Sequence, residues 1–201
     1  MRYPIMTILA ATASVLSIGP AQAGPDDPLF KLLPNDGAMF HQFGSAVAIS
    51  GNIAIIGASG DDFNGVNSGS AYLFDVASGQ QLFKLVPGDG AINDRFGASV
   101  AISGSVAIVG AAGDDDNGED SGSAYLYDTT TGLQIGPKLL ASDGIAGDVF
   151  GVSVGISGTI AIVGSRTYDV ISFFPGSAYL FDTTTGLQIG AKLLGDELNP
   201  S

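Results

Sequence analysis

Apolar and polar positions follow one order along this chain. The stretch Phe43-Gly44-Ser45-Ala46-Val47-Ala48-Ile49-Ser50 is apolar, rich in β-branched residues and of strand length. Gly51-Asn52 interrupts it, and a second apolar run, Ile53-Ala54-Ile55-Ile56-Gly57, follows. Two such runs around a short Gly-containing connection predict a β-hairpin. Val47 and Ile49 alternate with Ala46 and Ala48, so both faces of the hairpin are apolar and burial from two sides is expected. A polar, acidic loop over 60–69 leads to a third strand over 70–75. Ala77-Ser78-Gly79 then turns the chain into a fourth strand over 81–86, which Pro87-Gly88-Asp89-Gly90 ends. No helical period appears.

The same order is written three times. Phe43-Gly44 returns as Phe96-Gly97 and Phe150-Gly151, each followed by an Ile-rich run, a Gly-Ser-Ala-Tyr-Leu segment and a Lys-Leu-Leu or Lys-Leu-Val segment. A repeat of about 54 residues signals a solenoid, a propeller or an array. Four antiparallel strands buried on both faces describe a blade of an all-β, β-propeller-type fold. The repeats run over 31–83, 84–137 and 138–191, and 192–201 begins a fourth. Closed propellers need about four to eight blades, so three repeats predict an incomplete propeller or one closed by oligomerisation. Strand-like 29–34 and 187–194 both match the fourth strand, which leaves one strand in surplus. All four lysines, Lys31, Lys84, Lys138 and Lys192, head that strand. They are expected to block edge-to-edge pairing rather than to form a basic row.

The Phe-Gly pairs, with Gly57-Ala58-Ser59, Gly110-Ala111-Ala112 and Gly164-Ser165-Arg166 further on, resemble the FG-GAP repeats of integrin α-subunit propellers and of bacterial secreted proteins. The segments beginning at Gly69, Gly122 and Gly176 match that family's glycine-then-aromatic strand, and the resemblance covers about residues 30 to 194. It implies a propeller scaffold, which does not by itself fix what the loops do. The usual proline of the second half is missing each time. Calcium-binding members carry an Asp-x-Asp-x-Asp-Gly-type loop between the first two strands. Ser50-Gly51-Asn52, Ser103-Gly104-Ser105 and Ser157-Gly158-Thr159 stand there instead, with no carboxylate, so those ligands do not carry over.

Charge narrows the partners. Seven Lys and Arg face twenty Asp and Glu, for a net charge of −13. Nucleic acid and anionic membrane surfaces, which bind cationic patches, are therefore not expected partners. The start of the chain reads as an address. Arg2, an apolar stretch over 5–18, Gly19-Pro20 and Ala21-Gln22-Ala23 predict a signal peptide over 1–23, cleaved before Gly24. The expected destination is secreted, periplasmic or cell-surface, with 24–201 as one repeat domain and no membrane span in the mature chain. No cysteine is present, so packing rather than disulfides must hold the fold.

Candidate chemistry gathers in the loop after the second strand. Asp114, Asp115, Asp116, Asn117, Glu119 and Asp120 crowd the second repeat, and Asp61, Asp62 and Asn64 stand in the first. Calcium takes six to eight oxygen ligands, so these are the candidate metal ligands and Ca²⁺ the candidate cofactor. A solvated acidic loop is the alternative. In the third repeat the loop turns apolar at Val170, Ile171, Phe173 and Phe174, which reads as a contact surface or as local packing. His41, the lone histidine, corresponds to Asp94 and Asp148 and reads as a surface residue. No catalytic residue and no Gly-x-Ser-x-Gly elbow is identified. The expectation is a binding or adhesion module for an extracellular protein or polysaccharide that also self-associates. A polysaccharide-acting propeller enzyme and a purely structural repeat are the alternatives.

Overall fold

A computed structural model describes residues 31–166 and 176–194. The expected signal peptide over 1–23 and the apolar residues Val170, Ile171, Phe173 and Phe174 of the third repeat lie outside the described residues. Eleven strands form three antiparallel sheets, and no helix occurs among the described residues. The first sheet orders β1 (Phe43–Ser50), β2 (Ile53–Ala58), β3 (Ser70–Asp75) and β4 (Gln81–Leu85) as β1-β2-β3-β4. The second holds β5 (Phe96–Ser103), β6 (Val106–Ala111) and β7 (Ser123–Asp128). The third holds β8 (Ser153–Ser157), β9 (Ile160–Ser165), β10 (Ser177–Asp182) and β11 (Leu193–Leu194). These are propeller-type blades, one per repeat. In the second blade the fourth strand shrinks to isolated bridges, Ala124 with Leu139 and Tyr127 with Gln134. The first hairpin pairs Ser50 with Ile53, and Gly51, at φ 57°, supplies the positive φ that its two-residue turn requires.

Adjacent blades meet through unlike faces. Ile55, Leu73 and Leu85 of the first blade pack against Phe96, Val109, Tyr125 and Tyr127 of the second. The pattern repeats one blade on, with Ile108, Leu126 and Leu139 against Phe150, Val163, Tyr179 and Phe181. Each blade thus offers an aliphatic face to the aromatic face of the next. The Phe of each Phe-Gly pair stacks edge-on against a tyrosine of its own blade, Phe96 on Tyr125 and Phe150 on Tyr179, both at 5.4 Å. Burying each such aliphatic side chain contributes about 1.5–3 kcal/mol.

The glycines of the signature explain the closeness. A Cβ on Gly57 would lie 2.0 Å from the carbonyl oxygen of Gly97, and one on Gly110 would lie 2.0 Å from that of Gly151. Backbone therefore touches backbone between the Gly-Ala segment of one blade and the Phe-Gly segment of the next. Ser45 and Ser99 donate their hydroxyls to those same two carbonyls, at 3.1 and 2.7 Å.

Burial from two sides holds for the middle blade and not for the first strand. Val47 and Ile49 of β1 are exposed, whereas Ile102 of β5 is buried. The cause is position: β5 packs on both β1 and β8. At the two end faces the same pattern meets different cover. Ile56, Tyr72 and Phe74 of the first blade are packed by Leu32 and Phe43, while Ile160, Ile162, Leu193 and Leu194 of the third are exposed.

Candidate functional site

Antiparallel strands put the β2–β3 loop, the β6–β7 loop and the described blade-to-blade connections at one end of the blades. These segments hydrogen-bond in series. Asn93 N–H donates to Val66 O and Arg95 N–H to Asn67 O, then Gly113 N–H to Asp94 O, and then Gly147 N–H to Glu119 O and Val149 N–H to Asp120 O. The result is a continuous loop face running across the repeats. All seven described non-glycine residues with positive φ lie on it: Phe40, Gln42, Asn67, Asn93, Arg95, Asp120 and Val149. Phe40 is the most unusual, with φ 73° and 83% exposure, at a position where the sister repeats use Asn93 and Gly147. A bulky side chain in the left-handed region carries strain that the smaller sisters avoid.

Each acidic loop is a wound turn around one buried carboxylate. Asp61 Oδ1 accepts Phe63 N–H at 2.9 Å, and Asp62 Oδ1 accepts Asn67 N–H at 2.8 Å. Asn64 Nδ2 donates to Pro87 O at 3.0 Å. The second loop repeats the design: Asp114 Oδ1 accepts Asp116 N–H, Asp115 Oδ1 accepts Asp120 N–H, and Asn117 N–H donates to Ser121 Oγ. Asp61 and Asp114 are buried, whereas Asp115, Asp116, Asn117, Glu119 and Asp120 are exposed.

The buried carboxylates already have cations. Lys138 Nζ lies 2.7 Å from Asp114, 2.8 Å from Asp116 and 2.9 Å from Asp89, and Tyr125 Oη lies 3.1 Å from both Asp89 and Asp114. In the first blade Lys84 Nζ lies 2.5 Å from Asp36 and 3.1 Å from Asp61, with Tyr72 Oη 2.9 Å from Asp61 and His41 Nδ1 at 3.2 Å. The third blade keeps Lys192 on Asp143 at 2.6 Å and Tyr179 on Asp143 at 2.8 Å. Every node joins a carboxylate from the turn before its blade to a lysine and tyrosine within it. Lys84, Lys138 and Lys192 are therefore anchored in ion pairs rather than left free as edge blockers. Apolar stems run along the sheet, and the ammonium is drawn inward by three carboxylates at Lys138, two at Lys84 and one at Lys192. His41 likewise is no surface residue but a partner of Asp61.

Electrostatics follows the geometry. Burial alone would raise Asp61 and Asp89, yet hydrogen bonds from Lys84 to Asp61 and from Lys138 to Asp89 hold both carboxyls below the ordinary range. Burial opposes the charge on Lys138 as well, but Asp114, Asp116 and Asp89 outweigh it and raise the ammonium. Asp94 is the exception. Burial pushes its carboxyl up to about 6, with Asp114 and Asp115 adding to the shift and a hydrogen bond from Ala91 N–H opposing it. Among the described residues no three carboxylate or imidazole groups come together as metal ligands would. Asp61, Asp114 and Asp116 thus serve the lysine nodes, and the remaining candidate ligands of the two loops either wind the turns or face solvent.

Sequence reasoning missed a cleft on this face. Gln42, Ser59, Asn67 and Arg95 line a space of about 370 Å³ between the first two blades. Three of the four are left-handed residues, a property that hydrophobic periodicity does not encode. The only available signal was an exception to the repeat: Arg95 stands where Gln42 and Val149 stand in the sister copies.

No curated protein matches the chain. Among solved structures a europium-containing methanol dehydrogenase is similar, at 12% identity and TM-score 0.46 over 71% of this chain and 23% of that one. The chain thus spans under a quarter of that enzyme's length, at a likeness too low to bear on function. Residues 29–74, 80–127 and 137–181 each match the FG-GAP repeat model, on the same three repeats that form the blades. The chain belongs to the FG-GAP repeat family.

Proposed function

We propose that this β-propeller-type repeat protein is a secreted or cell-surface binding and adhesion module, which uses the loop face to hold an extracellular protein or polysaccharide. The observation that carries the reading is the gathering of every described left-handed non-glycine residue on that one face, around a polar cleft. Strain of this kind persists where surrounding structure over-determines it, and it collects at functional surfaces. A binding role is preferred to polysaccharide cleavage because the acidic side chains that do converge, Asp36 with Asp61 and Asp89 with Asp114, converge on Lys84 and Lys138. An ammonium occupies the place that a glycosidic oxygen would need between two carboxylates.

The reading extends to two further properties. Exposed Asp115, Glu119 and Asp120 repel one another, and weak calcium association would relieve that repulsion. The exposed apolar face of the third blade supports self-association with a blade of the same pattern. The test is retention of the full chain on immobilised extracellular polysaccharides and matrix proteins. Phe40→Gly on the loop face is expected to weaken retention, and Thr130→Ala at the opposite end to leave it unchanged. Uniform failure to bind overturns the reading, and release of new reducing ends from a polysaccharide would replace it with the enzyme.

A further inference from the structure

We propose that the cleft between the first two blades binds a carboxylate-bearing sugar, a uronic acid unit, with Arg95 holding the carboxylate. The inference rests on the binding-module reading and names the ligand class at one place on its loop face. The space of about 370 Å³ lies in the size range of small-ligand sites. Its four lining side chains are all polar: Gln42, Ser59 and Asn67 from the first repeat and Arg95 from the second.

Arg95 is the unusual one. Lys84, Lys138 and Lys192 each hold at least one carboxylate, whereas among the described residues Arg95 has no acidic partner. It is exposed, in a chain with a large acidic excess. Its backbone is pinned at φ 55° by the hydrogen bond from its N–H to Asn67 O, 3.0 Å. A planar guanidinium presents two parallel N–H donors that match a carboxylate.

The other three residues fit hydroxyl groups. Gln42 and Asn67 each carry an amide with a donor and an acceptor, and Ser59 carries a hydroxyl that can do either. Sugar hydroxyls both donate and accept, so vicinal pairs suit such amides. Ser59 Oγ donates to Gln42 Oε1 at 3.2 Å, and Asn67 Nδ2 lies 3.3 Å from Asn93 Oδ1, which orients both amides in advance. An acidic peptide side chain would engage the arginine and leave these three groups without use.

The sister position supplies an internal control. One blade on, the residues corresponding to Ser59, Asn67 and Arg95 are Ala112, Asp120 and Val149. The backbone is the same there, down to positive φ at Asp120 and Val149, but the hydroxyl is gone, a carboxylate replaces the amide of Asn67, and Arg95 itself takes the place of Gln42, on the other side of the set. The polar set is therefore a property of this cleft, not a requirement of the fold.

The experiment titrates the full chain with sodium glucuronate, glucose and sodium acetate at matched ionic strength, followed by calorimetry or ligand-observed magnetic resonance. Glucuronate is expected to bind at least about tenfold more tightly than either glucose or acetate, since only it engages both halves of the cleft. Arg95→Gln, the first repeat's own residue at that position, should weaken glucuronate about tenfold or more and leave the melting temperature unchanged. Asn67→Asp, the second repeat's residue, should do the same by setting a carboxylate against the ligand's. Equal affinity for acetate would reduce the site to a bare anion spot and overturn the proposal. Equal affinity for glucose, no binding of glucuronate, or an unaffected Arg95→Gln variant would overturn it too. If the chain fails this titration yet is retained on polysaccharides without uronic acid, the binding-module reading stands and only this ligand falls.

Discussion

The aliphatic faces of the second and third blades are written in the same residues and live in different surroundings. Ile108 and Leu139 are 0% and 1% exposed under the third blade, while their counterparts Ile162 and Leu193 are 41% and 51% exposed. The glycines agree. A Cβ on Gly110 would strike the next blade's backbone, whereas the three atoms nearest one on Gly164 all belong to Ser153 in its own blade. Repeat sequence thus specifies what a face can pack against, and the neighbour decides whether it does so.

The largest effect should come from cutting into that contrast directly. Ile108→Ala is expected to cost about 2–5 kcal/mol, because a cavity is left between two rigid sheets. Ile162→Ala should cost roughly 1 kcal/mol or less at low protein concentration, where half of the side chain is already wet. Denaturant unfolding of the two variants measures the difference. If Ile162→Ala proves as costly as Ile108→Ala and its cost grows with concentration, a second copy is covering the third blade. Light scattering would then show the same association directly.

The lysine nodes offer a second contrast of the same kind. Lys138 sits among three carboxylates with its side chain 11% exposed, and Lys192 is 36% exposed beside Asp143. Lys138→Met should destabilise by about 2–4 kcal/mol, since it strands a buried carboxylate and two partly exposed ones. Lys192→Met should cost under about 1 kcal/mol. Equal losses would mean that the nodes act as surface pairs regardless of depth.

The strands were legible in the sequence because the signals were local. Apolar runs, Gly51-Asn52 and Pro87-Gly88 mark the ends of β1, β2 and β4 to within a residue. The repeat itself made the blade legible. What stayed hidden depended on pairs far apart in the chain. Lys84 meets Asp36 and Asp61, and Lys138 meets Asp89 and Asp114, across turns that no periodicity connects. The acidic loops therefore read as metal ligands, when three of their carboxylates, Asp61, Asp114 and Asp116, lie against ammonium groups. The cleft at Arg95 stayed hidden for the same reason, being assembled from two repeats.

A smaller effect belongs to Asp94, which sits beside the second node. Its folded carboxyl titrates near 6, above the ordinary carboxylate value it has when unfolded. Its contribution is therefore present below that unfolded value and is lost as pH rises through about 6. Asp94→Asn keeps an acceptor for the Ala91 N–H and removes the charge. It should stabilise the protein by about 1–3 kcal/mol at pH 7–8 and by nothing near pH 4, read from melting temperatures across that range. The smallest expected change is calcium's: millimolar ion should raise the melting temperature slightly beyond a sodium control of equal ionic strength, and no shift removes that part of the proposal.

The nodes also say where a gene encoding such a chain could be cut and rejoined. A segment running from Phe43 to Leu85 would carry a whole sheet and its lysine but leave Asp36 behind on the other side of the junction. A segment that begins ahead of Asp36 and ends ahead of Asp89 brings both carboxylates of its own lysine with it. Duplication in that second frame yields copies that neutralise themselves on arrival, whereas duplication in the first makes each new copy depend on a neighbour's acid. The inheritable module is thus offset from the visible sheet by the length of one turn.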